Sequence, residues 1–173
     1  MRLRDTPLIA SDAIQRRVRA LAQQISQDYA VRELALVAVL KGSLFFAADL
    51  ARCLCVPVTM DFIHARSYAG TESRGEVEFA YVPQNPLRDK HVLVIEDILD
   101  TGRTAAAVLD RLRKERPASL ALCSLIDKPA RRETQTAATY IGFTIDNHFV
   151  VGYGLDYEEH GRELPDIHVL LDE

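Results

Sequence analysis

The chain has only three cysteines, Cys53, Cys55 and Cys123, all in apolar surroundings. Cys53-Leu54-Cys55 hints at a metal pair, but no second pair of ligands follows at zinc spacing. Buried free thiols and a reducing, cytoplasmic setting are therefore expected. No apolar run approaches the roughly 20 residues a membrane helix needs. The opening MRLRDTPLIASDAIQRR lacks the apolar stretch and small-residue cleavage site of a signal peptide. Basic residues are in the minority, 21 Lys and Arg against 25 Asp and Glu, for a net charge of −4. That balance argues against indiscriminate nucleic-acid binding, which needs a basic footprint, but leaves room for a local phosphate site. Internal repeats, low-complexity tracts and Gly/Ser-rich linkers are also missing.

What is present suits one globular domain over residues 1–173, with 48% hydrophobic residues. Ile14, Val18, Leu21 and Ile25 recur at helical spacing after Ser11, a candidate cap. LALVAVL (34–40) reads as a buried strand, and KGS turns it into a helix over about 43–54. A strand is expected over 56–65, then a long polar loop or extended hairpin over 66–82. Residues 91–95 form another buried strand, 104–116 a helix stopped by Pro117, and 119–126 a further apolar strand. HFVVGYGLD (148–156) and IHVLL (167–171) complete the strand candidates. Uninterrupted apolar strands alternating with helices indicate a mainly parallel sheet covered on both faces. Ligands of such sheets sit beyond the carboxyl ends of the strands. Four polar clusters fall there: KGS, EDILDTG, DKPARR and GLDYEEHGR.

The stretch VLVIEDILDTG (92–102) sets a chemical problem, because a buried strand runs into Glu96, Asp97 and Asp100. Gly102 permits a tight turn, and a helix follows at once, so free N–H groups and the hydroxyls of Thr101 and Thr104 can cradle a phosphate. The stretch is neither a Walker A loop nor a dinucleotide GxGxxG. Carboxylates beside a phosphate repel it unless hydroxyl donors or a divalent cation intervene. A phosphorylated ribose with Mg²⁺ meets that condition. The alternative is a solvated acidic loop that merely caps the helix.

Two acidic residues, two hydrophobic ones and Asp-Thr-Gly after an apolar strand resemble the phosphoribosyl-diphosphate signature of the type I phosphoribosyltransferases. Together with LKGS (40–43), SY (67–68), LIDKPARR (125–132) and FVVGYGLDYEEHGREL (149–164), the set resembles the hypoxanthine-guanine branch of that family. The resemblance implies a twisted, mainly parallel α/β sheet with a small hood built from the N-terminal segment and about 139–173. It implies transfer of ribose 5-phosphate from phosphoribosyl diphosphate to a 6-oxopurine, giving IMP or GMP and pyrophosphate, with Mg²⁺, in a dimer or tetramer.

By the same resemblance Glu96 and Asp97 hold the ribose hydroxyls, directly or through metal, and Asp156 is a further metal ligand. Asp100, Thr101, Gly102, Arg103 and Thr104 form the 5′-phosphate loop, and Asp100 accepts the proton of purine N7. Lys41-Gly42 meets pyrophosphate through backbone N–H groups and Arg162 clamps it, with a non-proline cis peptide expected between Leu40 and Lys41. Ser43 stands where many relatives have a second glycine. Lys128 selects the 6-oxo group, Phe149 stacks on the purine, and the Val150 backbone meets its edge. Ser67-Tyr68 tip a closing loop. Asp127 suits a plain salt bridge, and Arg131 and Arg132 suit either the pyrophosphate side or solvent. Two competing readings stay open: a relative acting on xanthine or pyrimidines, and a regulator that binds nucleic acid with phosphoribosyl diphosphate as effector.

Overall fold

In the computed structural model, which describes residues 1–67 and 77–171, strand β1 (Leu34–Val39) is buried at all six positions. Leu34, Leu36 and Ala38 enter one hydrophobic cluster, and Ala35, Val37 and Val39 a second. A two-residue period over a strand covered on both faces produces the unbroken apolar run. Strands β2 (Val58–Ser67), β3 (Val77–Tyr81), β4 (His91–Leu99), β5 (Ser119–Asp127) and β6 (Tyr140–Thr144) complete a six-stranded sheet. Its order is β3-β2-β1-β4-β5-β6. Every neighbouring pair is parallel except β2 and β3, which form an antiparallel arm.

Helices α1 (Ser11–Asp28) and α2 (Leu44–Cys53) cover the first face, and α3 (Arg103–Arg113) the second. Helix α1 buries Ile14, Val18, Leu21 and Ile25, one stripe at three- and four-residue spacing. Full burial of each such side chain stabilises the fold by about 1.5–3 kcal/mol relative to exposure. Helix α3 lays Ala105, Val108, Leu109 and Leu112 against the opposite cluster.

Several elements differ from the expectations. The strand read as 91–95 continues to Leu99, so Glu96 and Asp97 lie on β4 itself, with Glu96 in register with Ser124 of β5. Ser11 does not cap α1: its N–H donates to the Asp166 carboxylate at 2.6 Å, a cap supplied from 155 residues away. The expected strand over 148–156 shortens to β7 (Val150–Val151), because Gly152, Tyr153 and Gly154 all take positive φ and turn the chain. The strand at 167–171 shortens to β8 (His168–Val169).

Strand β6 had no counterpart in the sequence reading, and it joins the main sheet rather than the hood expected from about residue 139. Gly142 within it has no room for a side chain: a Cβ would lie 2.3 Å from the Leu125 carbonyl oxygen. The separate small sheet consists of β7 and β8, extended by antiparallel bridges from Leu3 to Leu170 and from Ile9 to Ile167. Of the cysteines expected to be buried, Cys123 is; Cys53 is half-buried and Cys55 exposed. Among the described residues no helix is long and apolar enough to cross a membrane.

Candidate active site

Strand β4 delivers two carboxylates to the carboxyl end of the sheet. Glu96 is buried, and its Oε2 has no hydrogen-bond partner. Burial, then the adjacent Asp97 charge, raises the Glu96 carboxyl well above its ordinary range; burial raises Asp97 as well. Asp97 lies directly under the Lys41-Gly42 turn, since a Cβ on Gly42 would fall 1.6 Å from its Oδ2. Residue 42 therefore has to be glycine while Asp97 keeps this position. Two hard oxygen donors, one of them orphaned, suit a divalent cation or the hydroxyls of a ribose. Among the described residues no three His, Cys, Asp or Glu side chains converge as a metal cage. A cation held by Glu96 and Asp97 would therefore need further ligands from outside these two side chains.

Below the pair, a cavity of about 200 Å³ is formed by Glu96 to Gly102 with Thr104 and Ala105. Gly102 takes φ +82° and precedes α3, whose first-turn N–H groups open onto this cavity. A Cβ at Gly102 would meet Thr134 Oγ1 at 2.4 Å and Arg132 Cδ at 2.9 Å.

Arg132 is a bracket rather than a solvated loop residue. Its guanidinium donates to the carbonyls of Leu99 (3.0 Å), Asp100 (3.0 Å) and Thr136 (2.6 Å) and pairs with the Asp127 carboxylate. Glu133 adds an N–H to the Thr101 carbonyl at 2.9 Å and an ion pair to Arg103 at 2.6 Å. The segment 127–136 thus clamps the loop 99–103 from outside.

The same segment carries Lys128. Its N–H donates to the Leu99 carbonyl (3.0 Å), and its Nζ to the His148 carbonyl (2.6 Å). Burial pushes the Lys128 ammonium below its ordinary range, and the nearby Asp100 charge opposes that shift. Arg131 holds the Asp100 carboxylate, Nε to Oδ1 at 3.0 Å. Phe149, next to the lysine's carbonyl anchor, is 54% exposed and meets Tyr157 edge-on with ring centroids 5.7 Å apart. A large aromatic left open beside a buried ammonium has the form of a slot for a planar, oxygen-bearing ring. Val150 is buried in the core and pairs with Val169 of β8.

On the far side, the Leu40–Lys41 peptide is cis. Ser43 is fully buried and returns its hydroxyl to the Val39 carbonyl at 2.6 Å, which seats its side chain within the turn. Lys41 Nζ contacts Glu159 Oε2 at 3.0 Å. Arg162 donates to the Gly154 carbonyl at 2.8 Å and pairs with Asp156 at 2.9 Å and Glu159 at 3.3 Å. Gly154 in turn abuts the Gly42 carbonyl, 2.0 Å from a would-be Cβ.

All four polar clusters thus meet at one crevice. Asp156 faces Arg162 and forms no metal cage with Glu96 and Asp97. Ser67 ends β2; its side chain, like the whole of Tyr68, lies outside the described residues. The bracketing role of Arg132 and the Glu159 contact escaped the sequence reading. Only an Asp-Lys-Pro-x-Arg-Arg-Glu run, charged yet wedged between apolar segments, carried a signal for the first.

A mainly parallel α/β sheet with paired carboxylates above a helix N-terminus defines the phosphoribosyltransferases, and the chain belongs to that family. Residues 8–158 match the phosphoribosyl transferase domain. The chain is 40% identical over 167 residues to a hypoxanthine-guanine phosphoribosyltransferase of Streptococcus pneumoniae, covering 96% of this chain and 93% of the relative. It is 41% identical over 171 residues to a hypoxanthine phosphoribosyltransferase of Salmonella typhimurium, covering 96% of each. It also matches the bifunctional protein TilS/HprT of Listeria monocytogenes at 41% identity, spanning 26% of that protein's length. A crystal structure of a hypoxanthine-guanine phosphoribosyltransferase from Bacillus anthracis superposes with a TM-score of 0.94 at 41% identity, covering 98% of this chain and 100% of that one.

Proposed function

We propose that the protein is a purine-salvage transferase that moves 5-phosphoribosyl from phosphoribosyl diphosphate to hypoxanthine or guanine, yielding IMP or GMP and pyrophosphate. The observation that carries this reading is a single hydrogen bond. The backbone of Lys128, the base-selecting candidate, is tied at 3.0 Å to Leu99, the residue before the phosphate loop. Phosphate and base sites are thereby held in one rigid frame, as a transfer between them needs.

In this reading the first-turn N–H groups of α3 and the hydroxyls of Thr101 and Thr104 bind the 5′-phosphate, and Arg103 flanks it. Glu96 and Asp97 take the ribose hydroxyls. Lys41, Gly42 and Arg162 receive the departing pyrophosphate. The Lys128 ammonium, a donor only, accepts no hydrogen bond from an amino group and so favours an oxygen at purine C6. Asp100 takes the N7 proton as the new bond forms, a contribution of about 10²–10⁴-fold for a positioned base. Phe149 and the Val150 backbone hold the ring, and Ser67-Tyr68 belong to the segment that excludes water.

Mg²⁺ fits the orphaned Glu96 oxygen and Asp97; Asp156 would hold a second ion only by giving up its contacts with Arg162 and the Glu159 N–H. When bound it supplies positive charge to the leaving group. Large apolar side chains exposed on β2 and β3 (Val58, Met60, Tyr81) and at the start of α2 (Leu44, Phe45) support self-association as a dimer or tetramer.

The test is pyrophosphate release from phosphoribosyl diphosphate and Mg²⁺ with hypoxanthine, guanine, xanthine, adenine or uracil. Turnover on the first two with adenine and uracil silent is expected. Silence on all five despite tight phosphoribosyl diphosphate binding overturns the enzyme reading.

A further inference from the structure

Between Tyr157 and His160 the chain reverses in a two-residue hairpin turn, the two residues exchanging backbone hydrogen bonds of 3.0 Å each way. Both central positions have positive φ, Glu158 at 52° and Glu159 at 66°. Such a turn is ordinarily filled by Asn-Gly or Asp-Gly, because a Cβ crowds the following carbonyl in this backbone region, a conflict that Gly avoids and the short polar side chains of Asn and Asp offset locally. Glutamate at both positions is a local conflict, and residues held in this way point to a use for the side chain.

Glu159 supplies the use. Its Oε2 lies 3.0 Å from Lys41 Nζ and 3.3 Å from an Arg162 nitrogen, the two cations assigned above to pyrophosphate. Those contacts hold its carboxyl below the ordinary range, Lys41 contributing most. Its own N–H donates to the Asp156 carboxylate at 2.9 Å, which fixes the turn over the crevice.

We propose that Glu159 is an internal counter-anion of the pyrophosphate subsite: its carboxylate pairs with Lys41 and Arg162 in the free protein, competes with pyrophosphate for them, and so sets how tightly that product is held. This rests on the reading above. The pair is solvent-exposed, with side-chain exposures of 55% for Lys41 and 63% for Glu159. Exposed pairs are weak, so a multiply charged diphosphate displaces the carboxylate, while the carboxylate still favours release. Without it, Lys41 stands uncompensated and Arg162 keeps only Asp156, so the subsite retains the product.

The test is calorimetric titration of inorganic pyrophosphate, with Mg²⁺, into wild type, Glu159→Gln and Glu158→Gln, with hypoxanthine turnover measured on the same preparations. Glu158 forms no ion pair among the described residues, so its neutralisation removes the same charge without freeing either cation. Glu159→Gln is expected to bind pyrophosphate about 2- to 5-fold tighter, the worth of one exposed pair, with Glu158→Gln close to wild type. Tightening that is absent, reversed or equal in the two variants overturns the inference. Failure of wild type to turn over any base, by contrast, overturns the proposed function and is read independently.

Discussion

The Nζ of Lys128, at the end of β5, donates to the backbone carbonyl of His148 at 2.6 Å, bridging 20 residues of chain to the start of β7. The ammonium is thus held in place in the free protein, and under the proposed function a purine would need only to share it. Lys128→Ala is expected to lower kcat/KM for hypoxanthine by roughly 10²-fold, the worth of a charged hydrogen bond left unmade. It should also erode the rejection of adenine. Steady-state kinetics on both bases check this, and an unchanged substrate profile removes Lys128 from selection.

Asp100 receives Arg131 on its carboxylate and Arg132 on its carbonyl, so its side chain and backbone are held by different arginines. Asp100→Asn keeps both shape and backbone contact but cannot take a proton. A fall of about 10²–10⁴-fold in kcat with KM for phosphoribosyl diphosphate nearly unchanged is expected. Unaltered turnover assigns the base elsewhere.

Glu96 makes stability depend on pH. Its folded pKa is raised above the ordinary 4.5 by burial and by Asp97. The folded protein therefore binds more protons than the unfolded chain between 4.5 and the raised value. The associated stability is fully present below 4.5 and lost as pH rises through the folded pKa. Glu96→Gln should remove that slope and raise Tm above the window while damaging phosphoribosyl diphosphate binding. Thermal unfolding of the ligand-free protein from pH 4.5 to 9 reads the difference; parallel curves for the two proteins contradict it.

Arg132→Met strips donors from three carbonyls and strands the Asp127 carboxylate. Side-chain exposures of 15% and 12% place the pair largely out of water. Breaking such a pair costs about 3–5 kcal/mol. Urea unfolding is expected to show a loss of that order, and residual folded enzyme to bind phosphoribosyl diphosphate poorly because the loop 99–103 is released. A loss under about 1 kcal/mol means the bracket is idle.

Gly102→Ala confronts both a left-handed backbone and contacts at 2.4 Å and 2.9 Å to Thr134 and Arg132. Thr134 can rotate, but Arg132 is pinned. The backbone conflict alone is about 1–2 kcal/mol. A rise in KM for phosphoribosyl diphosphate of 10-fold or more, about 1.4 kcal/mol at the loop, is expected. A KM equal to wild type shows that the loop adapts.

The sheet was legible because a doubly covered strand writes itself as a continuous apolar run, as 34–40 and 119–126 do. Its edge was not: β6 is Tyr-Ile-Gly-Phe-Thr, short, interrupted by glycine and free of any strong period. Helix α1 was visible in Ile14, Val18, Leu21 and Ile25, but its cap was not, because Asp166 is remote in sequence. The carboxylates and Asp-Thr-Gly marked the site through local chemistry that a resemblance could extend. Arg132 and Glu159 act through contacts 32 to 118 residues apart (Arg132 with Asp100 and Leu99 at 32 and 33, Glu159 with Lys41 at 118) or through a backbone sign that residue types do not announce.

The cap that Asp166 places on α1, with Ile9 bridged to Ile167 and Arg2 receiving the N–H of Leu171, has a consequence for biogenesis. A nascent chain emerging from the ribosome makes its first helix long before it owns the carboxylate that terminates that helix. The central strands can pair in the order they appear, but the clasp joining residues 2–11 to residues 166–171 waits until the second segment has emerged. Until then, the half-made protein keeps Ile9 and the open end of α1 uncovered, and those are the surfaces a chaperone would meet.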